Sequence, residues 1–137
     1  RGELITSIFV NNAVYGMTGG QMAPTTMLGQ KTTTSPYGRR PKIEGYPLLI
    51  TNLIAQLNGA AYVVRTSLAT PAKIMATKKA LKKAFEIQLE GLGYTLVEVL
   101  SPCPTNWKMT PVEAFRYLEE RMEKEYPLGV FKDITKD

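Results

Sequence analysis

The chain has 137 residues, enough for one ordinary domain and little more. Apolar residues make up 44% and charged residues 21%, which excludes a disordered chain, and no apolar run approaches the roughly 18 residues of a membrane helix. A net charge of +5 admits an anionic partner, whereas a single cysteine and no histidine exclude a disulfide framework, His-dependent triads and the commonest transition-metal ligand.

In chain order, residues 3–10 (ELITSIFV) are apolar and β-branched and predict a buried strand. The chain opens on Arg1 rather than Met, without a signal peptide, and an upstream part is expected. Residues 11–45 hold many Gly, Pro, Thr and Asn, a long loop of the kind that is usually functional or mobile. Pro47 is placed to open a helix carrying Leu49, Ile50, Leu53, Ile54 and Leu57, which stops at Asn58-Gly59. Residues 60–65 (AAYVVR) predict the next strand. Thr70-Pro71 opens a second helix, with Leu81, Phe85, Leu89 and Leu92 expected on its buried face up to Gly93. Lys78, Lys79, Lys82 and Lys83 fall on one side of it, as a solvated face; nucleic-acid binding would interleave aromatics with such a stripe, and Phe85 alone does not. Residues 94–100 (YTLVEVL) predict a third strand, followed by a tight polar segment over 101–108. Thr110-Pro111-Val112-Glu113 has the form of a capping box and opens a third helix with Val112, Phe115, Leu118 and Met122 inward. Pro127 ends it, and residues 127–137 are expected as a polar tail anchored by Val130 and Phe131.

Strand, loop, helix, strand, helix, strand, helix is the order of an α/β fold, a partial parallel sheet with helical crossovers. Three strands are few for a sheet that must be covered on both faces, so the chain is expected to be part of a larger domain.

Ligands of such sheets bind at the C-terminal ends of strands, where residues 11–21 lie. Asn12 offers an amide oxygen and the backbone at Val14 a carbonyl, both suited to Mg²⁺. Gly16, Gly19 and Gly20 permit tight turns that aim N–H groups at phosphate oxygens, and Thr18 adds a hydroxyl. On local chemistry alone an ordinary turn is the commoner meaning of a glycine-rich segment. For Cys103, packing as a small buried hydrophobe stands beside a role in a site, since it sits in a turn on the same sheet edge.

The run NNAVYGMTGGQMAPTT resembles the diphosphate-binding signature of the 2-oxoacid:ferredoxin oxidoreductases. KTTTSPYGR, SPCPTNW and YPLGVFKD are similar to further segments of the beta subunit of the 2-oxoisovalerate or 2-oxoglutarate type, so the resemblance spans essentially the whole chain. It implies the C-terminal portion of a single thiamin diphosphate-binding (pyrophosphate-type) domain over residues 1–137. It implies Mg²⁺ held by Asn12, by the Val14 carbonyl and by an Asp of an upstream Gly-Asp-Gly absent here. Tyr15, Gly16, Thr18, Gly19, Gly20 and Gln21 would line the diphosphate, and Met17 would lie near the reacting carbon. Cys103 would be the fourth ligand of a [4Fe–4S] cluster whose other three cysteines lie upstream.

The activity implied is oxidative decarboxylation of a 2-oxo acid with coenzyme A, giving acyl-CoA, CO₂ and reduced ferredoxin. The implied partners are the upstream half of the same subunit, the alpha and gamma/delta-type subunits and ferredoxin. Neither nucleic acid nor a membrane is expected as a partner, and the location expected is cytoplasmic. Residues 25–46 would cover the cofactor, contact a subunit or form a mobile loop. An inactive fragment and a basic α/β binding module are the alternatives.

Overall fold

A computed structural model describes residues 3–136. The first strand, β1 (Thr6–Asn11), leads into a two-stranded hairpin of β2 (Val14–Tyr15) and β3 (Gln21–Met22). After a loop and a single turn, α1 (Pro41–Glu44), come α2 (Ile50–Ala55) and β4 (Ala60–Ser67). Then follow α3 (Pro71–Leu89), β5 (Tyr94–Leu100), α4 (Pro104–Trp107) and α5 (Pro111–Tyr117). The last helix continues through a π-helical turn (Leu118–Met122) into α6 (Glu123–Glu125), and β6 (Gly129–Asp133) closes the chain.

The main sheet has the order β1-β5-β4-β6. β1, β5 and β4 run parallel, and their register brings Asn11, Leu100 and Ser67 to one edge. The α/β class is therefore observed. β4 is buried at every residue and β5 at all but its first, as near-continuous apolar runs between covered faces should be. The turn before β5 needs Gly93, whose φ is +139°; a Cβ there would stand 3.0 Å from the Gly59 carbonyl oxygen.

The structure corrects several expectations. Residues 129–133 are not tail but strand, pairing antiparallel with β4 and making the sheet mixed. The inward face of α3 is Thr77, Ala80, Ala84 and Ile87, while Phe85, Leu89 and Leu92 are exposed and Leu81 is half-buried. Small side chains let this helix lie close on β4 and β5, and the large apolar ones turn outward. In α2 only Thr51 is buried; Leu49, Leu53 and Leu57 are exposed. Val112 and Phe115 of α5 are exposed, whereas Ala114, Leu118 and Met122 are wholly buried, so the inward face follows the i, i+4 row from Ala114 rather than the row from Val112. The capping box at Thr110 and Glu113 and the Thr70 cap, which accepts from the Lys73 amide, are present as the sequence predicts.

Residues 25–46 fold around Arg39. Its guanidinium donates to the carbonyl oxygens of Ala23, Pro24, Thr26, Glu44, Gly45 and Tyr46, so one buried cation satisfies a loop without a ladder of its own. A core cluster of Ala13, Met27, Leu100, Leu118, Met122 and Tyr126, with Trp107 against it, joins this loop to the C-terminal edge of the sheet.

Candidate functional site

The hairpin at the end of β1 is built in three steps. Asn11 is buried, and its side-chain oxygen accepts from the Ala13 amide at 3.0 Å and the Thr25 hydroxyl at 2.9 Å. Ala13 then takes a left-handed conformation, φ +60°, costly for a residue with a Cβ and held here by that bond and by the Thr26 hydroxyl on its carbonyl at 2.6 Å. The chain next pairs Val14 with Met22 and Tyr15 with Gln21, so residues 16–20 form the tip.

Within the tip, Gly19 donates to the Gly16 carbonyl and Gly20 to that of Tyr15. The Thr18 hydroxyl lies 3.3 Å from the Tyr15 carbonyl and 3.1 Å from Gln21 Oε1. Gly20 has φ +79°, and a Cβ on it would stand 2.9 Å from Asn106 Oδ1; one on Gly16 would stand 2.8 Å from Asn106 Nδ2. Asn106 thus fills the hollow between these two glycines from the neighbouring α4. Its amide also donates to Cys103 Sγ at 3.2 Å, and the Trp107 indole donates to the Asn12 carbonyl at 3.0 Å. The half-buried Cys103, at the N-cap position of α4 after β5, is therefore linked to the glycine tip through Asn106, on the sheet edge that the sequence predicts for both. Asn106, Trp107 and the Asn11–Glu98 pair are not legible in the sequence, because nothing in their spacing reports contacts made far along the chain, and no local pattern marks Arg39 as the centre of its loop.

Two cavities flank the hairpin. One, of about 380 Å³, is lined by Asn12, Val14, Tyr15, Pro24, Thr25 and Leu48 among others. The second, of about 480 Å³, is lined by Gly19, Gly20, Lys31, Thr33, Asn106 and Lys108 among others. Asn12 Oδ1 accepts from the Val14 amide at 3.3 Å, a local turn that leaves the oxygen a further lone pair. Met17 is fully exposed at the tip, away from any described partner side chain. Thus Asn12, Val14 and Tyr15 share one cavity, and Gly19 and Gly20 line the other.

Neutral oxygens of Asn12 and Val14 suit a hard cation such as one that carries phosphate. Among the described residues, no group of three His, Cys, Asp or Glu side chains converges on a metal position. The donor set fits Mg²⁺–diphosphate with its carboxylate supplied from elsewhere. Close by, burial pushes the Tyr126 phenol far above its ordinary pKa, so it stays protonated and donates to the Thr25 carbonyl at 2.7 Å.

Residues 1–99 match the family model described as thiamine pyrophosphate enzyme, C-terminal TPP binding domain. The chain belongs to this family. Within the thiamine pyrophosphate enzymes it is 52% identical, over 133 residues, to ketoisovalerate oxidoreductase subunit VorA of Methanothermobacter thermautotrophicus. That alignment takes in 97% of this chain and 28% of the relative. It is also 37% identical, over 120 residues, to 2-oxoglutarate synthase subunit KorB of Archaeoglobus fulgidus, covering 88% of this chain and 40% of the relative. The chain thus spans less than half the length of either. The fold is that of a solved structure, 2-oxoglutarate:ferredoxin oxidoreductase from Magnetococcus marinus with 2-oxoglutarate, coenzyme A and succinyl-CoA bound. The TM-score is 0.62 at 22% identity, over 93% of this chain and 46% of that one.

Proposed function

We propose that this chain supplies the Mg²⁺- and diphosphate-holding loop of a 2-oxoacid:ferredoxin oxidoreductase, which converts a 2-oxo acid and coenzyme A to acyl-CoA, CO₂ and reduced ferredoxin. The observation that carries this reading is the hairpin after β1, with Asn12, Val14 and three glycines at the C-terminal edge of a sheet that matches the family. Relatives from both the ketoisovalerate and the 2-oxoglutarate enzymes support it. Residues 1–137 are then the C-terminal portion of one thiamin diphosphate-binding domain.

Asn12 Oδ1 and the Val14 carbonyl hold Mg²⁺, with a carboxylate from an upstream segment of the subunit. Tyr15, Gly16, Thr18, Gly19, Gly20 and Gln21 would line the diphosphate, the glycines by letting the backbone come close to it. Bound thiamin diphosphate supplies the nucleophilic carbon and the electron sink that decarboxylation requires. The exposed Met17 bears on the substrate side of the loop and shapes access to the reacting carbon. Cys103, joined to the tip through Asn106, would be the fourth thiolate of a [4Fe–4S] cluster whose other three ligands come from the upstream half, a group that would supply one-electron redox chemistry. Alpha and gamma/delta-type subunits and ferredoxin complete the enzyme, and the setting proposed is cytoplasmic; no helix among the described residues is long and apolar enough to cross a membrane.

In the intact enzyme, Asn12→Ala removes one of two metal oxygens contributed by this chain. The Mg²⁺ concentration for half-maximal activity should rise by at least tenfold while the melting temperature of the apoprotein holds. An unchanged Mg²⁺ requirement would place the metal elsewhere.

A further inference from the structure

Behind the hairpin lies a buried polar chain that the proposed reaction does not use directly. Glu98, in the middle of β5, has no exposed surface. Its Oε2 accepts from Arg65 Nε at 2.7 Å and from the Thr51 hydroxyl. Its Oε1 accepts from Asn11 Nδ2 at 2.8 Å. Arg65 is spoken for on every side: Nη1 donates to the Pro127 carbonyl, Nη2 to Asn52 Oδ1, and the guanidinium lies over the rings of Tyr126 and Phe131. A carboxylate and a guanidinium at this depth are costly and contribute little net stability against an apolar pair of the same volume. Such a pair invites the question of what its geometry sets.

The answer is the rotamer and amide orientation of Asn11. With its N–H₂ group claimed by Glu98, the Asn11 oxygen must face the hairpin, where it accepts from Ala13 N and Thr25 Oγ1. That bond secures Ala13 at φ +60°, and Ala13 is the one residue between Asn12 and Val14. A relaxation of Ala13 to a right-handed or extended conformation would swing the Asn12 side chain and the Val14 carbonyl apart. We propose that Asn11 and Glu98 are positioning residues for the metal: the Glu98 carboxylate orients Asn11, which pins Ala13 in its left-handed state and so holds the two Mg²⁺-ligating oxygens at a fixed separation. This rests on the assignment of Asn12 and Val14 as metal ligands.

The test is carried out on the intact enzyme by titrating Mg²⁺ calorimetrically at saturating thiamin diphosphate, beside thermal melts of each apoprotein. Asn11→Ala removes the tether, and the Mg²⁺ dissociation constant should rise tenfold or more. Thr51→Val strips a different bond from the same buried carboxylate; it should lower the melting temperature and leave Mg²⁺ affinity within twofold. If Asn11→Ala does not fold, Asn11→Asp decides. It keeps the volume and the acceptor facing Ala13 but turns a second acceptor on Glu98. Weaker Mg²⁺ binding by Asn11→Asp supports positioning, because added negative charge alone would strengthen it. Unchanged or tighter binding by the Asn11 variants overturns the proposal, as does an equal loss in Thr51→Val, which would mean general destabilisation. Asn12→Ala serves as the reference: if it shifts affinity and Asn11→Ala does not, positioning alone fails, and if neither shifts it the metal assignment fails with it.

Discussion

At the scale of single residues, the chemistry near the hairpin is set by what each polar atom is left to face. Cys103 illustrates it. Its sulfur accepts one bond, from Asn106, and is otherwise only half-buried, unlike a thiol packed into a core. In the intact enzyme Cys103→Ser should abolish the broad visible absorbance of the iron–sulfur cluster and lower bound iron. Unchanged absorbance and iron content would return Cys103 to a packing role. The sequence showed Cys103 and the glycine tip as neighbours on one sheet edge, because parallel strands put their C-terminal loops together. It did not show Asn106 between them: an asparagine in a short polar turn carries no periodic signal, and only the packing of α4 on the hairpin aims it at both glycines.

At the scale of elements, the helices and the last strand separate what pattern reveals from what contact decides. Capping residues announced where α3 and α5 begin, because the bonds that satisfy a helix start are local in sequence. Which face α3 buries is not legible in the spacing of its large apolar residues, since this helix lies close on the sheet with Thr and Ala at the contact and turns Phe85 and Leu89 outward. β6 was missed because its pairing with β4 lies far away in sequence. It is anchored by Asp133, which accepts from Lys83 Nζ at 2.6 Å and from Thr135. Burial opposes ionisation of Asp133, yet those donors prevail and hold its pKa below the ordinary aspartate value of 3.8. A carboxylate whose folded-state pKa is lowered contributes stability above its unfolded-state value and loses it as pH falls through the folded-state value. Asp133→Asn should therefore lower the melting temperature at neutral pH, with the difference from the parent shrinking as pH drops below 3.8. A deficit equal at pH 7 and in acid would mean that the charge contributes nothing.

At the scale of the whole molecule, the described surface is unevenly finished. Ile8 and Val10 of the edge strand β1 and Ile5 just before it are exposed, and so are Leu53 in α2 and Leu57 after it. The cavity containing Asn12 opens along this same region, bounded by Phe9, Val10 and Leu48. The two proposed metal oxygens are neutral, and among the described residues no group of three His, Cys, Asp or Glu side chains could hold a metal ion. A polypeptide of residues 1–137 alone should accordingly bind Mg²⁺–thiamin diphosphate weakly. Titration calorimetry checks this; submicromolar binding would show that the hairpin needs no carboxylate from outside the chain.

Residue order by itself determined the α/β class, the three parallel strands, the starts of α3 and α5 and the glycine-rich turn after β1. Each is written in short-range terms: apolar runs, capping spacings, and glycines where the backbone must turn. Tertiary structure alone decided the left-handed Ala13, the Arg39 core of the long loop, the Glu98–Asn11 tether and the antiparallel β6. These depend on which distant groups meet once water is excluded, and a buried polar atom takes whatever partner the packing brings.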